Sequence, residues 1–191
     1  MVVAVDGPAG VGKSTVAARV AREMNFLYLN SGSFYRALSQ AVLASGRDPN
    51  DSEAVIEIAR SASFSLSGDT LCLNGEPVHD LQTDLIDRWS PLHSRFPEVR
   101  ALVNEHLRRI AESRDVVVDG RDMSTVAFPD AELKIFLDAT VEARATRRFN
   151  QGVSVLSKRQ ILKRLKKRDS LDRNKPVGKL KLAQDALYID T

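Results

Sequence analysis

The segment Gly7-Pro8-Ala9-Gly10-Val11-Gly12-Lys13-Ser14 follows directly on the apolar run Val2-Val3-Ala4-Val5 and opens a stretch with helical spacing. It matches G-x-x-x-x-G-K-[ST] at every fixed position, in the strand-before, helix-after setting that the motif requires. No other feature constrains the fold as tightly. A buried parallel strand must run into a glycine turn whose backbone N–H groups point inward around phosphate oxygens. The positive end of the next helix must add to that field. Lys13 is expected to reach the β/γ-phosphates of a nucleoside triphosphate, and the Ser14 hydroxyl to hold Mg2+. Gly7, Pro8, Ala9, Gly10, Val11, Gly12, Lys13, Ser14 and Thr15 form the expected ATP-binding loop.

The rest of the chain alternates short apolar runs with helical patterns. Val16, Val20 and Met24 recur by fours and predict a helix over Ser14–Met24. Phe26–Leu29 reads as a second strand, Ser31–Ala44 as a second helix, and Asp51-Ser52-Glu53 as the start of a third that runs towards Ser61. From Phe64 to Val78 apolar and polar residues alternate, with Gly68-Asp69 and Asn74-Gly75 as turn signals, which predicts a small antiparallel hairpin. Helices follow at Leu85–Ser94 and Pro97–Glu112, strands at Val116–Val118 and Leu133–Leu137, and helices at Val141–Asn150 and Ser157–Lys167. Ala186–Ile189 is a fifth strand, expected to be buried on both faces as parallel-sheet strands are. The fold class is therefore α/β: three layers around a five-stranded parallel sheet with right-handed crossovers, plus a small antiparallel β insertion.

Composition removes several classes. The chain has 191 residues, 43% hydrophobic and 28% charged, which suits one globular domain rather than a disordered chain. No apolar run approaches the ~20 residues of a membrane-spanning helix. Cys72 is the only cysteine, which excludes a disulfide framework and a cysteine zinc site. The N-terminus has no basic stretch and meets Asp6 at once, unlike a signal peptide. These points favour the cytoplasm. The net charge of +3 is unevenly spread: Arg144 to Lys181 holds 14 Lys and Arg against 2 Asp and Glu. Such a block seeks an anionic partner or forms a solvated basic helix.

Among phosphate-loop proteins, a GTPase would show N-K-x-D, but Asn174-Lys175-Pro176-Val177 lacks the aspartate. A motor-type ATPase would usually end its second acidic strand in Asp-Glu. Here Val116-Val117-Val118-Asp119 is followed by Gly120-Arg121-Asp122. Asp119 can sit near Mg2+ or its waters, and Arg121 suits a second phosphorylated ligand. Ser31-Gly32-Ser33-Phe34-Tyr35-Arg36 opens a helix after the second strand. Arg36 can bind a phosphate bidentately from there, and Tyr35 can stack or fill space. Arg36 and Arg121 both lie at the C-terminal ends of sheet strands, the edge where α/β sheets bind ligands.

Several segments occur together and in order: Ser31-Gly-x-x-Tyr35-Arg36, the hairpin, Phe96-Pro97-x-Val99-Arg100, Asp119-Gly-Arg-Asp-Met123 with Thr125-Val-x-Phe-Pro129, Lys134-Ile-Phe-Leu-Asp-Ala139, and Arg168-Asp169-x-x-Asp172. In these the chain resembles the bacterial cytidylate kinases, nucleoside monophosphate kinases of the P-loop NTPase type, from its first strand to Thr191. The resemblance implies ATP- and Mg2+-dependent phosphorylation of CMP or dCMP. Arg36 and Arg121, with Ser31 and Tyr35 beside them, would clamp the acceptor phosphate. Arg100 and Asp122 would read cytosine, and Arg168 and Asp172 would hold the ribose near Lys175. Arg144 would lie at the adenine face and Arg148 at the phosphates. Lys13, Arg121, Arg148 and Arg168 would carry catalysis by neutralising charge. One domain over 1–191 is expected, with a core of about 1–35 and 114–191, a monophosphate-binding lobe of about 36–113 containing the hairpin at about 64–78, and a short lid at about 149–157. Small nucleotides are the expected partners of a monomer, with no membrane or nucleic acid.

Some positions depart from the family pattern. Pro91 stands where a base-contacting serine is usual, with Ser90 one residue early, Lys175 replaces an arginine, and the lid is about four residues short. Family members continue past Ile189-Asp190-Thr191 with a further helix, so one face of the last strand is expected to be less covered here. An acceptor such as UMP, or a nucleic-acid-binding P-loop protein that uses the basic block, are the alternatives. His79, His93 and His106 lack metal-ligand spacing and read as surface or structural residues, and Trp89 as core.

Overall fold

The computed structural model describes residues 1–152 and 156–191. Strand β1 (Val2–Asp6) leads through the glycine loop into helix α1 (Lys13–Met24), followed by β2 (Leu27–Asn30) and α2 (Ser31–Ala44). After an inserted segment come β6 (Val116–Asp119), β7 (Leu133–Asp138), α6 (Val141–Asn150), α7 (Lys158–Arg173) and β8 (Leu187–Asp190). These five strands form a parallel sheet in the order β2-β6-β1-β7-β8. Strand β1 lies at its centre, with Val5 opposite Asp119 on one side and Ile135 on the other. The order changes direction at β1, so the loops after β1 and β6 open a crevice at the strand ends.

The inserted segment carries α3 (Ser52–Ser61), the antiparallel strands β3 (Phe64–Ser67), β4 (Thr70–Leu73) and β5 (Glu76–Pro77), then α4 (Asp84–His93) and α5 (Pro97–Ala111). Its apolar side chains join the parallel sheet in one core: Phe64, Val99, Val103 and Leu107 pack with Phe34 of α2 and with Ala4, Leu29, Val116 and Val118. The opposite sheet face, Val3, Val5, Val117 and Leu137, packs on Ala17 and Ala21 of α1. The three expected layers are therefore present. Within α1 the buried stripe is Lys13, Ala17 and Ala21, whereas Val16 and Met24 are exposed. Alanines let the helix that follows the phosphate loop lie close to the sheet, and the larger residues turn outward.

Three further differences from the sequence reading have physical causes. Helix α7 extends to Arg173, six residues beyond the expected Lys167, because Ile161, Leu165 and Asp172 continue one buried face through the basic run. Among the described residues, strand β8 pairs only with β7 and is exposed throughout, Leu187 being 59% accessible, so it is an edge strand and not buried on both faces. A five-residue π-helical turn, Met123–Ala127, follows β6 where no element was expected. The expected lid at 149–157 includes 153–155, which lie outside the described residues. On either side of them, α6 ends at Asn150, and Ser157 caps α7 in a capping box with Gln160.

His93 and Trp89 are core residues, as expected. The Pro49 carbonyl, 3.0 Å from His93 Nε2, can only accept, so Nε2 carries a proton, while Nδ1 lies 2.9 Å from the Ser39 hydroxyl, which donates to the Tyr35 carbonyl at 2.8 Å. Burial disfavours a second ring proton and holds the pKa of His93 below the ordinary histidine value. The unfolded chain takes up this proton near pH 6.5 and the folded protein only at lower pH, so stability rises with pH across that interval. His106, also lowered by burial, acts in the same direction. Melting temperature is expected to fall between pH 7.5 and 5.5. The fall should be smaller in His93→Gln, and equal slopes would show that His93 already binds its proton in the folded state.

Candidate active site

The crevice at the strand ends is a cleft of about 490 Å3, within the range of small-ligand sites. All the site residues expected from the sequence line it except Gly7, Pro8, Val11 and Arg144. Those four shape the phosphate loop. A Cβ on Gly7, whose φ is +148°, would lie 2.1 Å from the Leu137 carbonyl oxygen, so only glycine lets the loop pass this close to β7. The Pro8 carbonyl accepts from Lys13 Nζ at 2.9 Å, and Val11 packs in the core beside Leu137. Arg144 donates to the Ala9 and Ala139 carbonyls and bidentately to Asp169, which fastens the loop to α6 and α7. Its other side faces a shallow depression of about 450 Å3 with Thr140, Val141 and Tyr188.

At the loop end of the cleft, burial drives Lys13 well below the ordinary lysine range, and the Arg121 charge adds to this. Anionic phosphates would reverse both effects. Ser14 Oγ donates to Asp119 Oδ2 at 3.0 Å, and the Tyr28 hydroxyl donates to Asp119 Oδ1 at 2.8 Å. Asn30, which the sequence reading passed over, donates to both Ser14 Oγ and the Tyr28 hydroxyl while its own oxygen caps α2. One hydroxyl and one carboxylate, both hard oxygen donors, fit Mg2+, which takes few protein ligands and completes its shell with waters and substrate phosphates. Among the described residues no three His, Cys, Asp or Glu side chains gather into a fuller cage.

Opposite the loop lies a cationic pocket. Asp172 is buried on α7 and meets Arg121 Nε at 2.9 Å, Lys175 Nζ at 2.9 Å and Arg168 Nε at 4.0 Å. Burial would raise its carboxyl, but Arg121, Lys175 and Arg168 hold it down at about 2. Desolvation and then the Arg121 charge bring Arg168 down to about 10, so it stays charged at neutral pH. Arg36 enters from α2 and pairs with Asp87 of α4 at 2.6 Å. Four cations and two carboxylates leave this pocket at +2, the complement of a phosphate monoester dianion. Lys175 therefore supplies its charge through a direct contact with Asp172. Arg147, also overlooked in the sequence, lines the cleft beside Arg148.

Beside the pocket, Arg100 Nη2 donates to Asp122 Oδ2 at 2.5 Å and Nη1 to the Ser94 carbonyl at 3.0 Å, with the guanidinium over the Tyr35 ring. Both partners are buried, yet both reach the cleft wall. Gly120 is fixed by close packing, since a Cβ there would lie 2.6 Å from Ser31 Oγ. Asp122 does not cap the π turn. Asp6 does, accepting from the Met123 and Ser124 amides at 2.9 and 2.8 Å. Ser31 Oγ donates to the Asp119 carbonyl at 2.8 Å, which joins the start of α2 to the end of β6.

Removing the counter-ion that three cations share should be costly. Asp172→Asn is expected to lose about 3 kcal/mol, as when one partner of a buried pair is deleted. That corresponds to a melting temperature lower by roughly 6–12 °C. Sulfate at millimolar concentration should restore part of it. An unchanged melting temperature would mean that the cations do not depend on Asp172.

A family model described as "Cytidylate kinase" matches residues 3–191. A cytidylate kinase of Caldanaerobacter subterraneus subsp. tengcongensis is 41% identical, over 99% of this chain and 86% of its own. One from Clostridium botulinum is 36% identical over 99% and 89%, and one from Rhodopirellula baltica 38% over 100% and 85%. A solved structure of an uncharacterized protein from Eubacterium ventriosum aligns at a TM-score of 0.54 with 12% identity, over 100% of this chain and 89% of that one, a likeness of fold alone. The phosphate loop and the facing cationic pocket thus belong to a sequence that matches its relatives from end to end, and the chain belongs to the cytidylate kinase family.

Proposed function

We propose that this protein transfers the γ-phosphoryl group of ATP to CMP or dCMP, giving ADP and CDP or dCDP. The observation that carries the reading is the +2 pocket of Arg36, Arg121, Arg168 and Lys175, set across one cleft from the phosphate loop and beside the buried Arg100–Asp122 pair. A nucleoside monophosphate presents a dianion to the first and a base edge to the second.

In this reading the acceptor phosphate oxygen attacks the γ-phosphoryl group in line, and no covalent enzyme intermediate is needed. Lys13, Arg121, Arg148 and Arg168 stand where negative charge spreads over the transferred group, and they stabilise it by position rather than by chemistry. Mg2+, when bound, neutralises charge on the β- and γ-phosphates, and Ser14 and Asp119 would hold it. Asp122 spends Oδ2 on Arg100 and leaves Oδ1 for the exocyclic amine of cytosine. Uracil would turn a carbonyl to the same carboxylate, an acceptor facing an acceptor. Asp172 and Arg168 hold the ribose. Arg144, four of whose five N–H donors go to protein groups, serves the donor's adenine through the face it turns to the shallow depression. The reading carries with it a cytoplasmic monomer whose partners are nucleotides.

The test is ADP release with CMP, dCMP, UMP and AMP as acceptors. CMP and dCMP should lead in kcat/KM, and a preference for UMP would remove the reading. In Asp122→Asn the amide can give its oxygen to Arg100 and its NH2 to a uracil carbonyl, so the CMP:UMP ratio should shrink. A ratio left untouched would show that residue 122 does not read the base. Lys13→Ala should lower kcat by about 10²-fold or more while leaving the melting temperature in place. Retention of a tenth of the activity would be incompatible with its role.

A further inference from the structure

The Arg36 guanidinium is not free to receive a ligand. Nη1 donates to the Leu81 carbonyl at 2.9 Å, and Nη2 lies 2.6 Å from Asp87 Oδ1. The two contacts differ in kind. The first is a directed hydrogen bond. In the second, Oδ1 is shielded from solvent yet accepts no hydrogen bond of good geometry, so the contact is ionic and poorly aligned. The pair is also partly accessible, at 22% and 37% of the two side chains, and ion pairs this open hold weakly. Asp172 makes the opposite arrangement, with an aligned bond from Arg121 and an ion pair to Lys175, all of it buried inside the protein. One carboxylate is built to position its cations, the other to be displaced.

We propose that Asp87 is a built-in competitor for the acceptor's phosphate. It holds Arg36 in the free protein and yields the guanidinium to the incoming phosphate, while the Leu81 carbonyl keeps the arginine in place. Asp87 thereby weakens acceptor binding and favours dianionic phosphates, which displace a carboxylate more readily than singly charged anions do. The inference rests on Arg36 belonging to the acceptor pocket.

Asp87→Asn raises the pocket from +2 to +3 and should tighten CMP binding, measured calorimetrically without ATP, by three- to tenfold. The gain should shrink with rising salt. Asp87→Glu keeps the charge and should stay near wild type, and the KM for ATP should not move. In the Arg36→Ala background Asp87→Asn should give none of the gain. Weaker or unchanged CMP binding in Asp87→Asn would overturn the proposal, as would a gain that survives Arg36→Ala. The same titrations with inorganic phosphate separate this inference from the reading it rests on. If CMP is not the acceptor, CMP fails to bind while phosphate still distinguishes Asp87→Asn from wild type.

Discussion

Asp6 ends β1 with a carboxylate that solvent does not reach, and its bonds to Met123 and Ser124 decide where the residues just before them point. Burial raises its pKa, Ser124 and Met123 oppose that rise, and the nearby Asp122 charge adds to it. Arg108 completes the arrangement from α5 by donating to the Val126 and Ala127 carbonyls at the far end of the π turn. Amides meet a carboxylate at one end and carbonyls meet a guanidinium at the other, so the turn's dipole is matched twice. Asp6 is also the last residue before Gly7. Its side chain therefore helps to hold the phosphate loop at a set distance from Arg121-Asp122, alongside the Gly120 amide, which donates to the Val5 carbonyl at 3.0 Å.

A cleft lined by so many cations has to be stable before anything binds. The carboxylates are placed so that it is. Asp172 binds three cations from inside and Asp169 binds Arg144 at the back of the loop. Lys13 sheds part of its preference for charge through burial, and bends to the Pro8 carbonyl. The cations among these groups would gain a further anionic partner when phosphates arrive, without moving far. That is preorganisation in the electrostatic sense: the folding energy of the domain holds donors around a place where charge will develop.

The sequence revealed what is local. The phosphate loop is one contiguous motif with its strand and helix attached, and all five parallel strands announced themselves as short apolar runs. Arg36, Arg121 and Asp122 could be placed because they follow strand ends. What it concealed are pairs formed across the fold. Arg36 and Asp87, Arg144 and Asp169, or Asp6 and Ser124 are far apart in the chain, and nothing in their neighbours' spacing marks one for the other. The length of α7 was hidden for a different reason: its buried face passes through charged residues, one of which, Asp172, is buried because it is paired. The exposure of β8 could not be read from its apolar letters, because exposure depends on what packs there and not on the strand itself.

The Arg100–Asp122 pair, proposed to read the base, shows how specificity and fold can share residues. Arg100 comes from α5 in the inserted segment and Asp122 from the turn after β6, so their contact joins the two parts of the molecule that face each other across the cleft. A buried ion pair is weak evidence for stability, since desolvation offsets much of its attraction. Its worth here lies in orientation: Arg100 is fixed on two sides, by Asp122 and the Ser94 carbonyl, and the remaining oxygen of Asp122 is thereby aimed. Pro91 at the cleft wall brings no hydroxyl to the base, but Ser90 and Ser94 line the same wall. Ser94 donates its own proton to the Pro91 carbonyl at 3.1 Å, so its oxygen can still accept but has no hydrogen left to give. An acceptor there suits a base amine, whereas a base carbonyl or ring nitrogen must turn to the guanidinium. If a cytosine is read at this wall, as proposed, discrimination would rest on the Arg100–Asp122 pair more than on any hydroxyl beside it.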